Sequence, residues 1–456
     1  MRAVLISTYE LGRQPFGLAS PASWLTRAGI DVTCVDLSRE PFRAEMANAG
    51  LVALHLPMHT ATRLAVPVIE RVRRLNPDAK LCCYGLYAPL NETFLRSLGV
   101  THILGGEFEA DLVDVVLGRG RPPGVARGGN RPVGTVVPAP AARVPRLDFI
   151  TPDRAALPPL SRYATLQQGT TQKVVGYTEA SRGCKHLCRH CPVVPVYGGQ
   201  FRVVPADVVL ADVEAQARRG AEHITFGDAD FFNGIGHAMR VVDGLARGRL
   251  GLTYDVTIKV EHLLTHADTL PRLRDTGCLF ITSAVESVDD TILERLDKGH
   301  TNADVERVVA LCREVGVVLN PTFIPFTPWT TRDGYRRLLS AIDRLDLVDH
   351  VAPIQLAMRL LVPSGSRLLE LSDLTPHLKA FDKTLLTHPW HHPDPEVDRL
   401  ATAVGGLVGR RLTASRRDLF AEIWSLAHEG AGDAPLLGAP PPTRAEVPFL
   451  NEPWYC

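Results

Sequence analysis

The sequence predicts an α/β chain built around two largely parallel sheets. Three observations carry that expectation. Short apolar runs alternate with amphipathic stretches of helical period, the pattern of strands joined by crossover helices. The alternation occurs twice along the 456 residues. Between the two occurrences lies a stretch crowded with Pro, Gly and Arg in which neither a helical nor a strand period survives.

In the first alternation, residues 1–118, strands are expected at 2–7, 31–36, 51–55, 80–84 and 102–104. The helix after the first strand is expected to start at Ser20-Pro21, a capping residue followed by Pro at the first helical position, and to end near Gly29. Ala22, Leu25 and Ala28 then share one face. The result is a Rossmann-like or flavodoxin-like parallel sheet. Cys82 and Cys83 are neighbours within one expected strand, so they point to opposite faces and are poorly placed to grip one ion together. Residues 119–165, with GRGRPPGVARGGNRPVG and VVPAPAARVPRLD, read as a linker. In residues 166–372 strands are expected at 174–178, 223–226, 253–259, 279–284, 317–323 and 351–356, with helices such as 205–218 and 303–314 between them. Six βα repeats imply a partial (β/α)6 TIM-type barrel, whose active-site loops lie at the strand C-termini. Residues 373–456 form a C-terminal extension with helices at 396–408 and 416–428, a Gly/Pro stretch and an extended tail.

Composition narrows the function classes. Lys and Arg number 50, Asp and Glu 50, with 16 His, 45% hydrophobic and 22% charged residues. This is ordinary globular chemistry with ample core. A neutral balance argues against a dedicated nucleic-acid binder. Only seven of the 50 basic residues are Lys, which makes each Lys near a strand end conspicuous. No apolar run is long enough to span a membrane, and the start MRAVLISTYE reads as a strand rather than a signal peptide, so a cytoplasmic protein is expected. Nine Cys, an odd number, favour thiols or metal ligands over a disulfide framework.

The sharpest feature is Cys184-Lys-His-Leu-Cys188-Arg-His-Cys191-Pro192, shortly after the first barrel strand. Three thiolates on one tight loop suit an iron–sulfur cluster and leave one iron of a cubane without a protein thiolate. A closed zinc site would want four ligands in another spacing, even with His186 and His190 in the loop. The loop strongly resembles that of the radical S-adenosylmethionine (SAM) superfamily. The resemblance implies a 4Fe-4S cluster on Cys184, Cys188 and Cys191, with SAM chelated at the open iron and cleaved reductively, usually to a 5′-deoxyadenosyl radical. It also implies roles for GDADFF (Gly227, Asp228, Asp230) at the methionine amine, for Lys259 in TIKVEHLL near the cofactor carboxylate, and for Glu286 in AVESVDD at the ribose hydroxyls. IPFTP (Pro325) resembles a segment near the adenine, and MRLLVPSGS (Pro363, Gly365) a closing loop. His262, Cys278 and Cys312 have no motif support.

The N-terminal part resembles the cobalamin-binding-type domain that precedes the barrel in one radical SAM class, and LGGEFEADLVDVVLG matches that class's Gly-Glu-x-Glu helix start (Gly106, Glu107, Glu109). The loop TYELGRQPFGLAS lacks the His of an Asp-x-His-x-x-Gly motif, and His55 and His59 are poor substitutes. Cobalamin is therefore either bound without a protein lower ligand or absent. The second substrate is expected to be a small molecule or a metalloid, and the electron donor a flavodoxin or ferredoxin. The first alternative activity is transfer of a methyl or 3-amino-3-carboxypropyl group from SAM, and the second a non-enzymatic iron–sulfur or metal-binding role. The tail PFLNEPWYC resembles the start of a Cys-Cys-Ala-Glu-Pro or Cys-selenocysteine-Ala-Glu-Pro ending found in one radical SAM subgroup. Cys456 is then expected to be the first half of a thiol–selenol pair, its reading frame cut at a UGA codon.

Overall fold

The structure, a computed structural model, describes residues 1–119, 147–411, 414–429, 435–437 and 447–451. Five parallel strands open the chain: β1 (Arg2–Ser7), β2 (Asp31–Asp36), β3 (Leu51–His55), β4 (Lys80–Tyr84) and β5 (His102–Leu104), in the order β2-β1-β3-β4-β5. Helices cover both faces, which is why these strands read as continuous apolar runs. Pleating sends Cys82 into the core on one face and Cys83 into the core on the other. The chain order reverses at β1, so the crevice beside its C-terminal end is the topological switch point of the sheet.

The first helix departs from expectation. It spans Phe16–Arg27 and carries Pro21 inside it. Ser20 is not its cap; it is buried, and its hydroxyl donates to Glu109 Oε1 at 2.6 Å. Pro21 has no N–H to offer the carbonyl four residues back, that of Gly17. The Tyr84 hydroxyl donates to that carbonyl instead, at 2.8 Å.

Residues 120–146 of the expected linker lie outside the described residues. The part that is described, from 147 onward, is pinned against both sheets. Asp153 N donates to Ala19 O at 3.0 Å, Ser23 Oγ to Thr151 O at 2.6 Å, and Ala164 N to Gly12 O at 2.9 Å. Arg154, 3% exposed, forms a two-pronged pair with Asp212 (both 2.9 Å), and donates to Gln14 Oε1 at 3.0 Å and to the Tyr177 carbonyl at 2.6 Å.

The second sheet begins with a hairpin, β6 (Thr165–Gln168) and β7 (Thr171–Thr178). A small ribbon, β8 (Ser181–Gly183) with β9 (Phe201–Val203), stands at the C-terminal end of β7. Parallel strands β10 (His223–Phe226), β11 (Thr253–Thr257), β12 (Cys278–Glu286) and β13 (Val318–Phe323) follow. A short strand β14 (Phe449–Leu450) closes the far edge against β6, giving the order β13-β12-β11-β10-β7-β6-β14, a half-barrel.

The expected sixth strand at 351–356 does not form. Pro353–Leu356 is a 3-10 turn, and the parallel contact beyond β13 shrinks to one bridge, Phe326 with Arg359. Pro353 has no N–H for a ladder, and the Gln355 side chain takes the Phe323 N–H at 3.0 Å, where a strand backbone would have bonded. The C-terminal helices Pro395–Arg410 and Arg416–Ala427 cover that side, with Val404, Val408, Phe420 and Ile423 in the barrel's own core. Among the described residues no helix is long and apolar enough to cross a membrane.

Candidate active site

The parallel strands of the half-barrel all end at one rim, and the cysteine loop is built onto it. After β7 the chain turns at Glu179-Ala180, runs through β8 and enters the loop 184–191. Asp228, just beyond β10, fixes that turn: Oδ2 accepts from Ala180 N at 2.9 Å and Oδ1 from the Ser181 hydroxyl at 2.5 Å. Burial pushes its pKa up to about 6, against these hydrogen bonds, which favour the anion. Both oxygens are thus engaged by the base of the loop. Gly227 has no room for a side chain, since a Cβ would fall 1.7 Å from the Tyr177 hydroxyl.

The loop is held on every side. Asn233 Oδ1 accepts from Lys185 N at 3.1 Å and lies 3.6 Å from Cys184 Sγ. Arg189 N donates to Leu296 O at 2.9 Å, and its guanidinium to the carbonyls of Glu294 and Arg295. Ser366 Oγ donates to Arg189 O at 3.2 Å, and Arg367 to Leu187 O at 2.6 Å. The closing segment anticipated around Pro363 and Gly365 therefore does touch the cysteine loop through its neighbours.

Arg182, two residues before Cys184, is buried among three carboxylates: Glu107 at 3.1 Å, Glu109 at 2.7 Å and Glu179 at 2.9 Å. Burial pushes Glu179 up to about 8 and raises Glu107. For Glu109 burial acts in the same sense, but attraction to Arg182 outweighs it and holds the carboxyl below its ordinary value. The Gly-Glu-x-Glu segment of the first sheet thus clamps the root of the cysteine loop.

Cys184, Cys188 and Cys191 all lie on this loop, Cys188 buried and the others half-buried. Burial raises the Cys184 thiol and pushes Cys191 up to about 12, so these thiols on their own stay protonated. Only a bound metal's charge would draw them to thiolate. Their sulfurs do not belong to the single group of three ligating side chains that converges within 4.8 Å among the described residues.

Glu286 ends β12 in the left-handed region, φ 70°, at a register shift against β13. Its Oε1 is 3.2 Å from His190 Nε2 and 3.6 Å from Lys298 Nζ. Burial would raise its pKa, but Lys298 and then His190 reverse that and keep it ionised below the usual range. Lys259 does not sit in β11; it is the N-cap of the next helix. Its ammonium lies 3.0 Å from His186 Nδ1 and 3.2 Å from Glu261 Oε2. The rim thus gathers Glu286 and Lys259 around the cysteine loop, while Asp228 supports it from below. Sequence reading missed Arg182, Lys298 and His262 as members of this rim. Lys298 could have been found, being one of seven Lys and twelve residues after Glu286. Asp230 and His262 meet only through the fold. Cys278 and Cys312 are buried in the barrel core. Cys456 lies outside the described residues.

A family model of the radical SAM superfamily matches residues 178–339. These residues are a radical SAM domain. The cysteine loop, Asp228, Lys259, Glu286 and Lys298 all fall within it. Among curated proteins the chain is 24% identical over 223 residues to the ribosomal protein uS12 methylthiotransferase RimO of Geobacter sulfurreducens, covering 44% of this chain and 48% of that one. It is 24% identical over 221 residues to the tRNA-2-methylthio-N(6)-dimethylallyladenosine synthase of Magnetococcus marinus, with the same coverage of 44% and 48%. The chain thus spans about half the length of the curated relatives it matches. Among solved structures, the cobalamin-dependent SAM radical enzyme OxsB with aqua-cobalamin matches 94% of this chain and 71% of its own, with TM-score 0.70 and 13% identity. The radical SAM methyltransferase TsrM from Kitasatospora setae, with tryptophan and a SAM analogue bound, matches 94% and 95%, with TM-score 0.66 and 17% identity. At such identities the likeness shows the fold: a Rossmann-like parallel sheet joined to a radical SAM half-barrel.

Near the first sheet's switch point, His55 and His59 are both held by other groups and are not placed as lower ligands for cobalamin. His55 is 6% exposed, lies with its ring 5.1 Å from that of Tyr84 and tilted 32° to it, and faces Glu10 with Nδ1 3.4 Å from its carboxylate. A Cβ on Gly17 would fall 2.0 Å from the His55 ring, so the helix backbone lies directly on it. His59 Nε2 is 2.6 Å from the Leu385 carbonyl.

Proposed function

We propose that this chain is an enzyme in which Cys184, Cys188 and Cys191 hold a 4Fe-4S cluster and the surrounding rim binds SAM for reductive cleavage. The observation that carries the reading is the placement of the three-cysteine loop at the C-terminal rim of a radical SAM half-barrel, with a cation and an anion beside it. When bound, such a cluster supplies one electron to SAM and so starts radical chemistry on a second substrate. The chain's own residues do the rest. Lys259 offers an ammonium to the cofactor carboxylate. Glu286, kept ionised by Lys298 and His190, accepts from ribose hydroxyls. Gly227 lets the chain pass close to Tyr177, and Asp228 holds the turn that aims the cysteine loop.

The second substrate is a small molecule or a metalloid, and the electron comes from a flavodoxin or ferredoxin in the cytoplasm. Absence of a membrane-crossing helix among the described residues is compatible with that setting. A second reading, transfer of a methyl or 3-amino-3-carboxypropyl group, draws support from TsrM, a methyltransferase by its title, whose fold covers 94% of this chain. Cobalamin is a candidate further cofactor, which would be held without a lower ligand from His55 or His59, since both are engaged.

The test is anaerobic reconstitution. The wild-type chain should take up about four irons and cleave SAM under dithionite, and Cys188→Ala should lose both. A Cys188→Ala variant with the wild-type cluster spectrum and cleavage rate would overturn the assignment. Product analysis separates the two readings: 5′-deoxyadenosine alone supports hydrogen abstraction, methylthioadenosine supports transfer of the aminocarboxypropyl group, and S-adenosylhomocysteine supports methyl transfer.

A further inference from the structure

One cluster of ligating side chains is not used by the reading above. His186, in the cysteine loop, Asp230, after β10, and His262, in the helix after β11, bring one ligating atom each to within 4.8 Å of one another. They come from three separate segments and meet at the C-terminal rim. We propose that they form a second, mononuclear site that binds one divalent first-row transition ion beside the cysteine loop.

Four features support it. First, His186 turns Nε2 toward both partners, 3.3 Å from the His262 ring and 3.7 Å from Asp230 Oδ2. His262 then ligates through Nδ1, the nitrogen beside Asp230, and its Nε2 keeps the ring proton. Second, Asp230 Oδ2 and His262 Nδ1 are buried and have no hydrogen-bond partner among the described residues, although they lie 2.6 Å apart. Two buried polar atoms so close and yet not aligned as donor and acceptor carry an unmet desolvation penalty. An ion between the three side chains would remove it. Third, the carboxylate is already oriented: Asp230 Oδ1 caps the turn Phe231–Gly234 by accepting from Phe232 N at 3.1 Å, which leaves Oδ2 for the site. Its Oδ2 is 3.7 Å from His186 Nε2. Fourth, an outer carboxylate stands ready. Glu261 Oε2 is 3.8 Å from His186 Nδ1 and can accept its N–H, the arrangement that sets the tautomer of a metal-bound imidazole.

Lys259 is the competing group, since its ammonium points at His186 Nδ1 from 3.0 Å. Binding requires that the ammonium leave Nδ1, with Glu261 only 3.2 Å away as its remaining partner, and that the His186 ring proton move from Nε2 to Nδ1 without net loss. Two imidazoles and one carboxylate leave coordination positions open, which suits an ion that holds water or a chelating small molecule. The site shares no ligand with the cysteine cluster, so the two can fail independently.

The experiment uses the full-length chain with Cys184, Cys188 and Cys191 all replaced by Ser, stripped with chelator and titrated with Co2+ alone. The expected result is uptake of one equivalent, with a visible ligand-field band and no thiolate charge-transfer band. His186→Gln, on the half-exposed loop, and His262→Gln should each weaken uptake at least 100-fold. Glu261→Gln should weaken it about 10-fold, the lower end for an outer-sphere partner. Circular dichroism controls for folding; if His262→Gln unfolds, His186→Gln decides. Absence of one-equivalent uptake, or uptake that His186→Gln leaves unchanged, would overturn the site without touching the assignment of the cysteines.

Discussion

At the scale of single residues, the rim depends on close approaches that tolerate no added atom. Gly227 is the sharpest case, because the space a Cβ would need is filled by the Tyr177 hydroxyl. Gly227→Ala should destabilise the chain by about 1–3 kcal/mol, the range for overpacking. The Tyr177 ring obstructs through its hydroxyl and through Cζ, 1.7 and 2.1 Å from such a Cβ, so in a Tyr177→Leu background, where both are gone, Gly227→Ala should cost less in urea denaturation. An equal cost of Gly227→Ala in both backgrounds would refute the steric cause. Glu109 tests charge rather than space. Its folded pKa is held below the usual Glu value because attraction to Arg182 outweighs burial. A lowered carboxyl pKa adds stability above the unfolded value, and that stability is lost as pH falls through the folded value. Wild type should therefore exceed Glu109→Gln in urea midpoint at pH 7, and the gap should narrow as pH drops below about 4.5, the ordinary value. A gap independent of pH would mean that Glu109 acts by packing alone.

At the scale of elements, what the sequence revealed depended on whether a signal was local. Strands β1, β3 and β4 announce themselves because each is buried on both faces and bounded by turn residues. The cysteine loop is legible from spacing alone. The meeting of Asp230 with His262 is not, because 32 positions separate them and only the barrel brings them together. Two local signals misled. Pro353 sits inside an apolar run that reads as a strand, yet it cannot donate to a ladder. Ser20-Pro21 reads as a helix start but lies inside Phe16–Arg27, where the Pro is accommodated by Tyr84. That accommodation can be measured. Tyr84→Phe leaves the Gly17 carbonyl without a partner and should cost about 1–3 kcal/mol. In a Pro21→Ala background the new backbone N–H can take that carbonyl. Tyr84→Phe should then cost markedly less, giving a non-zero coupling in a double-mutant cycle by urea denaturation. Additive effects would show that the hydroxyl and the proline are unrelated.

At the scale of the whole molecule, two buried arginines join the sheets, and neither was evident as a joint from sequence. Arg182 reads as part of the approach to the cysteines, and Arg154 as part of a Pro-rich linker. In the structure Arg154 touches Gln14 in the loop after β1, Asp212 in the helix Ala206–Arg218, and the carbonyl of Tyr177 near the end of β7. One guanidinium thus links the first sheet, the barrel's outer layer and the strand that leads into the cysteine loop. Removing one partner of such a pair strands a buried charge, which typically costs 3–5 kcal/mol. Arg154→Met leaves Asp212 in that position. The Asp212→Asn, Arg154→Met double variant removes both charges and should be less destabilised than Arg154→Met alone. Hydrogen exchange reads the second consequence. In wild type, amides of β1 and β7 should exchange through the same opening, because the sheets are locked together. In Arg154→Met, β1 should exchange faster than β12, which has no contact with this arginine. If both strands slow and quicken together in the variant, the sheets are held by their apolar contacts and Arg154 is not the joint.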